Sequence, residues 1–293
     1  MVPTSIVRDA PAKINLALHV TGRRADGYHE LESLVVFTRF GDRISVARSH
    51  IDSIALSGRF ATAVPDDGGN LVARARDQLR AALRRDGPIF IALEKNLPVA
   101  SGIGGGSSDA AATLLALIRL WGEEPQHNIV RIAEELGADV PMCLAARPLL
   151  ARGIGHELRP VPRFPALPMV LVNPGVAIST PDVFRALSSR ENAPLPVLPD
   201  NPDFSTVISW LGTTRNDLQP AATNTAPVIG TVLDALAGSG AAFVRMSGSG
   251  ATCFGIFETE DTASQAAATI NRQQPSWFVV STRSMAPGES FDG

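Results

Sequence analysis

The clearest alternation of apolar and polar positions lies near the start of the chain. In KINLALHV, Ile14, Leu16, Leu18 and Val20 fall on one side of a two-residue period, and Lys13, Asn15 and His19 on the other. That pattern predicts a half-buried strand with Lys13 and Asn15 on one face. GRRADGYHE then carries the glycine and Asp-Gly signals of a turn, and Leu34 to Val46 resumes as one or two strands around Gly41-Asp42. Asn70 is placed to cap a helix that runs to Arg85 and stops at Gly87-Pro88. IFIALE reads as a strand that leads into LPVASGIGGGSSDAAATLLALIRL, a glycine- and serine-rich loop followed by an apolar helix starting near Ser107 to Asp109. HNIVRIAEEL is an amphipathic helix ending at Gly137, with Asp139 just before Val140-Pro141.

RPVPRFPALP, residues 159 to 168, reads as a connection between domains. Beyond it the pattern predicts a strand from Met169 to Asn173, a helix near Pro181 to Ser189, and a proline- and asparagine-rich loop to about Asp203. Two further helical stretches, the segment MSGSGATCFGIF, a helix from about Asp261 and a last strand WFVVS follow.

Composition narrows the function. With 293 residues and 45% apolar content the chain is large enough for one large or two medium domains and too apolar to be disordered. A net charge of −3 with scattered arginines argues against nucleic acid as the main partner. The uncharged stretch Ala110 to Ile118 is too short to cross a bilayer, so no membrane partner is expected. Two cysteines, Cys143 and Cys253, lie in apolar settings without metal-binding spacing, which suggests free thiols in the cytoplasm. Of the 26 basic residues only Lys13 and Lys95 are lysines, and Tyr28 is the one tyrosine.

The glycine loop points to an anion. It is no Walker A loop, because Ser107, Ser108 and Asp109 stand where the lysine and hydroxyl should follow the glycines. It is no dinucleotide fingerprint either, since from Gly102 the third glycine would fall on Ser107. A nucleophile elbow over residues 106–110 lacks its closing glycine and its leading strand. What those loops share still applies: glycines let main-chain N–H groups approach a phosphate, and the following helix adds its positive end. The serine hydroxyls could help hold a metal ion. A plain loop, or a helix start capped by Ser108, is the alternative.

The chain also resembles the GHMP small-molecule kinases. The resemblance is carried by PAKINLALHVTGRRADGYHELES (11–33), LPVASGIGGGSSDAA (97–111), LGADVP (136–141), NPGVAISTPDVF (173–184), NDL (216–218) and SGSGATCFGIF (247–257), in family order across most of the chain. It implies an α+β fold of two domains, residues 1–163 and 164–293. The first would bind ATP through a left-handed βαβ crossover and the second would be ferredoxin-like. It implies transfer of the γ-phosphoryl of ATP, with Mg2+, to the 2-hydroxyl of a cytidine-diphosphate-linked methylerythritol in non-mevalonate isoprenoid biosynthesis. Alternatives are a mevalonate- or homoserine-type kinase, or a sensor that binds without turnover.

Phosphoryl transfer needs a phosphate cradle, a cation and a group that takes the hydroxyl proton. By resemblance, Asp139 is the proton acceptor and Lys13 the cation. The ATP cradle comprises Pro98, Val99, Ala100, Ser101, Gly102, Ile103, Gly104, Gly105, Gly106, Ser107 and Ser108. Lys95 lines its entry, and Ser107 or Ser108 is a Mg2+ contact. The acceptor is expected to meet Tyr28, His29 and Phe184 at its cytosine, Asn15 beside Lys13, and Asp217 and Gly248, Ser249 and Gly250 elsewhere. From the residues alone, Asp139 could simply cap the helix after it.

Overall fold

The computed structural model of the protein describes residues 5–65, 69–124 and 127–289. Two long strands, β1 (Ile6–Arg23) and β2 (His29–Arg48), form an antiparallel ribbon. β2 is one strand, not two. Gly41 sits inside it because β1 passes so close that a Cβ there would lie 2.2 Å from the Ala10 carbonyl oxygen. The other edge of β2 pairs with β4 (Ile89–Glu94) over residues 43–48 and with β5 (Leu149–Gly153) over residues 31–35. β3 (Ser53–Ser57) runs parallel to β4, and β6 (Glu157–Pro160) closes the sheet beside β5.

The parallel β3–β4 pair is bridged by helix α1 (Leu71–Leu83), which starts where the Asn70 side chain accepts from the Val72 N–H. Asp52 fastens this crossover: both Arg80 Nη groups donate to it at 2.6 and 2.7 Å, and the Ile89 N–H at 2.8 Å. α2 (Gly105–Trp121), α3 (His127–Leu136) and α4 (Val140–Ala145) pack with α1 on this sheet over one apolar core.

The second sheet has strand order β10–β7–β9–β8, all antiparallel, from β7 (Pro168–Asn173), β8 (Phe243–Met246), β9 (Cys253–Ile256) and β10 (Phe278–Arg283). Four helices, α5 (Thr180–Arg185), α6 (Phe204–Gly212), α7 (Gln219–Thr225) and α8 (Val228–Gly238), separate β7 from β8. α9 (Glu260–Gln273) separates β9 from β10. This is the split βαβ arrangement of a ferredoxin-like domain. Three helices fill residues 204–238 where the pattern predicts two stretches, because Pro227 ends α7 and opens α8.

The two sheets share a core. Ile14 and Leu16 from β1, Leu34 and Val36 from β2, and Met169, Leu171, Phe254 and Phe278 from the second sheet meet in one buried cluster with Phe164 and Leu167. Segment 161–167 joins the sheets, and we propose to divide the domains within it, between 163 and 164. The second half of the chain also returns to the first sheet, where the Met285 N–H donates to Phe37 O at 2.7 Å and the Leu18 N–H donates to Arg215 O at 2.9 Å.

Candidate active site

A β-bulge decides what the first strand offers. The register between β1 and β2 shifts between Asn15 and Ala17, so the alternation that puts Lys13, Asn15 and His19 on one face breaks after Asn15. Lys13 and Asn15 line a cavity of about 880 Å3 between the domains, and Leu18, not His19, continues its wall. His19 is fully buried elsewhere, with Nδ1 3.0 Å from Ala193 O and Nε2 accepting from the Arg215 N–H at 3.1 Å.

At the cavity floor Lys13 Nζ donates to Asp139 Oδ2 at 2.6 Å. Lys13 is 6% exposed, whereas the Asp139 side chain is open to the cavity at 37%. Asp139 stands at the N-cap position of α4 but makes no capping bond with its side chain, so the capping alternative falls. Gly104 is what admits Lys13: a Cβ on Gly104 would come within 3.1 Å of the Lys13 Cβ and 3.4 Å of its Cε. Beside it, Asn15 Nδ2 donates to Ser33 Oγ at 2.8 Å, and Asn15 Oδ1 is buried without a partner among the described residues. That oxygen is a free acceptor next to the ion pair.

The glycine loop is stitched to the second glycine segment. Ser247 Oγ accepts from the Asn15 N–H and donates to Gly102 O, both at 3.1 Å. A Cβ on Gly102 would meet Ser247 O at 2.5 Å and Gly250 N at 2.7 Å, so the segments touch backbone to backbone. Ala100, Ser101, Gly102, Gly104, Gly105, Gly106 and Ser107 face the cavity. Pro98, Ile103 and Ser108 do not; Ile103 belongs to the core between the sheets, and Ser108 Oγ is buried without a partner among the described residues. The helix begins at Gly105, two residues before the expected start, with Gly104 as its N-cap and no side-chain cap. Ser107 is therefore the loop hydroxyl open to a ligand. Val99 lines a side chamber of about 210 Å3 that shares Leu71, Ala100 and Gly106 with the main cavity.

Lys95 also borders that chamber, but its ammonium is committed. It donates to Asp42 Oδ2 at 2.5 Å and Asp109 Oδ2 at 2.6 Å, all three groups buried. Asp42 Oδ1 accepts from the Asn96 and Leu97 N–H groups at 2.6 and 2.7 Å, which fixes the entry to the glycine loop. Burial, with Asp42 close by, drives the Asp109 carboxyl well above the usual carboxylate range despite Lys95.

At the other end His29 stacks on Phe184, ring centroids 4.9 Å apart at 25°. Burial, then the charges of Arg23 and Arg190, lowers the pKa of His29. Tyr28 is 62% exposed and lines the cavity with a free ring face. Gly248 and Ser249 line the cavity, and Ser249 Oγ lies 2.7 Å from Thr180 Oγ1.

Two expectations for the acceptor side need correction, besides Pro98, Ile103 and Ser108 in the cradle. Asp217 does not line the cavity: its carboxylate accepts from the Val20 N–H at 2.7 Å, Arg215 Nε at 2.6 Å and Asn192 Nδ2 at 3.2 Å, so it ties β1 to the second domain. Gly250 is likewise absent from the cavity wall; its φ of +89° and a Cβ position 2.7 Å from Met246 Sδ make it a turn residue. Sequence reasoning missed Asn216, beside Asp217, whose Nδ2 donates to Met246 O and Gly248 O at 2.8 Å each and holds the second glycine segment. It also missed Asp42 and Thr180. The proline-rich loop 194–202 stands away from the ion pair, borders a different groove of about 500 Å3, and is pinned by Leu195 N–H to Glu32 Oε2 at 2.9 Å.

A two-domain α+β fold, with a glycine-rich loop and a lysine–aspartate pair lining the cavity between the domains, is the arrangement of a small-molecule kinase. The chain belongs to the GHMP kinase family. The descriptions "GHMP kinases N terminal domain" and "GHMP kinases C terminal" match residues 70–147 and 199–276. The 4-diphosphocytidyl-2-C-methyl-D-erythritol kinase of Mesorhizobium japonicum (strain LMG 29417 / CECT 9101 / MAFF 303099) is 60% identical over 280 residues, 94% of this chain and 95% of that one. A crystal structure of 4-(cytidine 5'-diphospho)-2C-methyl-D-erythritol kinase superposes with a TM-score of 0.80 at 35% identity, covering 96% of this chain and 100% of that chain. The homoserine kinase of Cytophaga hutchinsonii ATCC 33406 shares the fold at a TM-score of 0.69 and 18% identity, over 98% of this chain and 96% of that one.

Proposed function

We propose that this chain transfers the γ-phosphoryl group of ATP to the 2-hydroxyl of 4-diphosphocytidyl-2-C-methyl-D-erythritol, in the cytoplasm, on the non-mevalonate route to isoprenoid precursors. The observation that carries the reading is the Lys13–Asp139 pair, at 2.6 Å, on the floor of a cavity with the glycine cradle and the His29–Phe184 wall along its sides. Identity of 60% to a kinase of that name supports the choice of acceptor.

Asp139 is the group that accepts the acceptor's hydroxyl proton, since its second oxygen is free of Lys13 and its side chain is open to the cavity. Lys13 holds that carboxylate in place and supplies the positive charge that favours the alkoxide. Asn15 Oδ1 orients the polyol. Tyr28 offers the face on which cytosine stacks, with Phe184 behind His29 and the His29 ring bonding the base edge. ATP brings the phosphoryl group to be transferred, and Mg2+ bound with it spreads the phosphate charge. The cradle fits that load: main-chain N–H groups of α2's first turn are bare of capping side chains, and Ser107 presents an open hydroxyl.

The test is transfer of labelled phosphate from ATP to a panel of alcohols with and without the cytidylyl group. Transfer confined to the cytidine-diphosphate-linked methylerythritol is expected. Transfer to mevalonate or homoserine instead would assign the chain to another branch, and binding without transfer would make it a sensor.

A further inference from the structure

Two of the guanidinium groups lining the cavity have no carboxylate partner among the described residues. Four arginines approach the cavity in sequence, as Arg23 and Arg24 on the β1–β2 turn and as Arg185 and Arg190 at and after α5. Arg24 is paired with Asp26 at 3.0 Å and Glu30 at 3.8 Å, and Arg185 with Asp182 at 2.6 Å. Arg23 and Arg190 have no carboxylate partner among the described residues. Arg23 Nε reaches only Gly27 O at 3.5 Å, and Arg190 Nη2 only Arg185 O at 3.2 Å.

These two line the cavity with Tyr28, His29 and Phe184, beside an Arg185 that is already neutralised by Asp182. They come from different domains, and both lie near enough to His29 to disfavour its protonation, behind burial as the larger cause. Each segment that carries them is built rather than loose. The turn is closed by Arg24 N–H to Tyr28 O at 2.8 Å and Tyr28 N–H to Asp26 Oδ1 at 3.1 Å. Segment 186–193 is fixed by Asn192, whose N–H and Nδ2 both donate to Val20 O, at 3.2 and 3.0 Å. Two unpaired like charges converging on one opening repel each other until an anion lies between them, and guanidinium donors suit phosphate oxygens.

We propose that Arg23 and Arg190 clamp the diphosphate of the acceptor substrate and so select a nucleoside diphosphate over the uncharged nucleoside. This rests on the acceptor reading above. In that substrate the diphosphate adjoins the cytidine, whose base is placed at Tyr28 and His29, and both arginine charges act on His29.

The experiment measures binding of CDP and of cytidine to the full chain by calorimetry, and KM for ATP and for the acceptor, in the wild type, Arg23→Gln, Arg190→Gln, the double variant and Arg190→Lys. In the wild type CDP is expected to bind more tightly than cytidine, by a margin that shrinks with added salt. Each Gln variant should weaken CDP about threefold to tenfold, the scale of one charge-assisted contact, with cytidine and the KM for ATP unmoved. Arg190→Lys should retain part of the margin. A CDP margin that survives in the double variant overturns the clamp, and so does a KM for ATP that rises as much as that for the acceptor, which would assign the arginines to the ATP phosphates. Equal binding of CDP and cytidine by a wild type that phosphorylates the cytidylyl alcohol sinks the clamp alone. No binding of either, with ATP still bound, sinks the acceptor reading and the clamp with it.

Discussion

At the scale of single residues the site turns on charge and room. Asp139→Asn removes the proton acceptor but keeps the size of the side chain, so kcat is expected to fall about 10²- to 10⁴-fold with both substrates still bound. Near-normal turnover would take Asp139 out of the chemistry. Lys13→Arg keeps the charge yet should be strongly impaired, because the lysine stem runs through a slot that exists only because Gly104 has no side chain, 3.1 Å from the Lys13 Cβ. Steady-state kinetics that showed an active Lys13→Arg enzyme would mean that charge alone suffices. Both residues were legible in the chain: Lys13 as one of two lysines on a patterned strand, Asp139 in a recognisable motif. Their contact was not, since 126 residues separate them and no local pattern reports such a meeting. Asp217 shows the converse error. It shares a motif with Asn216, but successive residues point apart, and the carboxylate faced β1 while the amide faced the glycine segment.

Between residue and domain, the elements explain how a loop of glycines becomes a rigid cradle. α2 begins on Gly104, and the loop ahead of it is braced from below by the buried Asp42–Lys95–Asp109 triad and from the side by Gly248 and Gly250. Periodicity showed the strand IFIALE and the helix after the loop, because local pattern specifies both. It keeps one strand or two open around Gly41-Asp42, since a glycine before an aspartate usually marks a turn. In the fold Gly41 lets two long strands touch, and Asp42 reaches the triad. Lys95→Met is the informative variant. It would leave two buried carboxyl groups facing each other without a cation, and removing one partner of a buried ion group typically costs about 3–5 kcal/mol. Chemical denaturation should show a loss on that scale together with a raised KM for ATP. A loss below about 1 kcal/mol would mean that the carboxyl groups shed their charge without help from Lys95.

Taken as a whole, the molecule places its cavity between two domains whose contact must hold while substrates come and go. The apolar part of that contact was partly legible, in the even-numbered residues of β1. The polar part was hidden by the bulge after Asn15, which sends His19 away from the cavity and into the junction. There the imidazole donates from Nδ1 to Ala193 O and accepts at Nε2 from the Arg215 N–H, so it must be neutral. Burial lowers its pKa, and the Arg215 charge adds to this, while the Ala193 bond and Asp217 oppose it. A histidine starts near 6.5 in the unfolded chain. Below that value the unfolded state takes up a proton that the folded state refuses, so stability falls as pH drops from about 6.5 toward the lower folded pKa and is fully present above 6.5. A protonated ring would set N–H against the Arg215 N–H and loosen segment 189–193, which carries Arg190. His19→Gln keeps a neutral amide at the site and removes the titration. Its urea midpoint should be lower than wild type at pH 7.5, where the imidazole makes both bonds, and the drop between pH 7.5 and pH 5.5 should be smaller than in the wild type. His29, whose pKa is also lowered, titrates in both proteins and cancels in the comparison. Equal pH dependence in the two would show that the junction does not sense the protonation of His19.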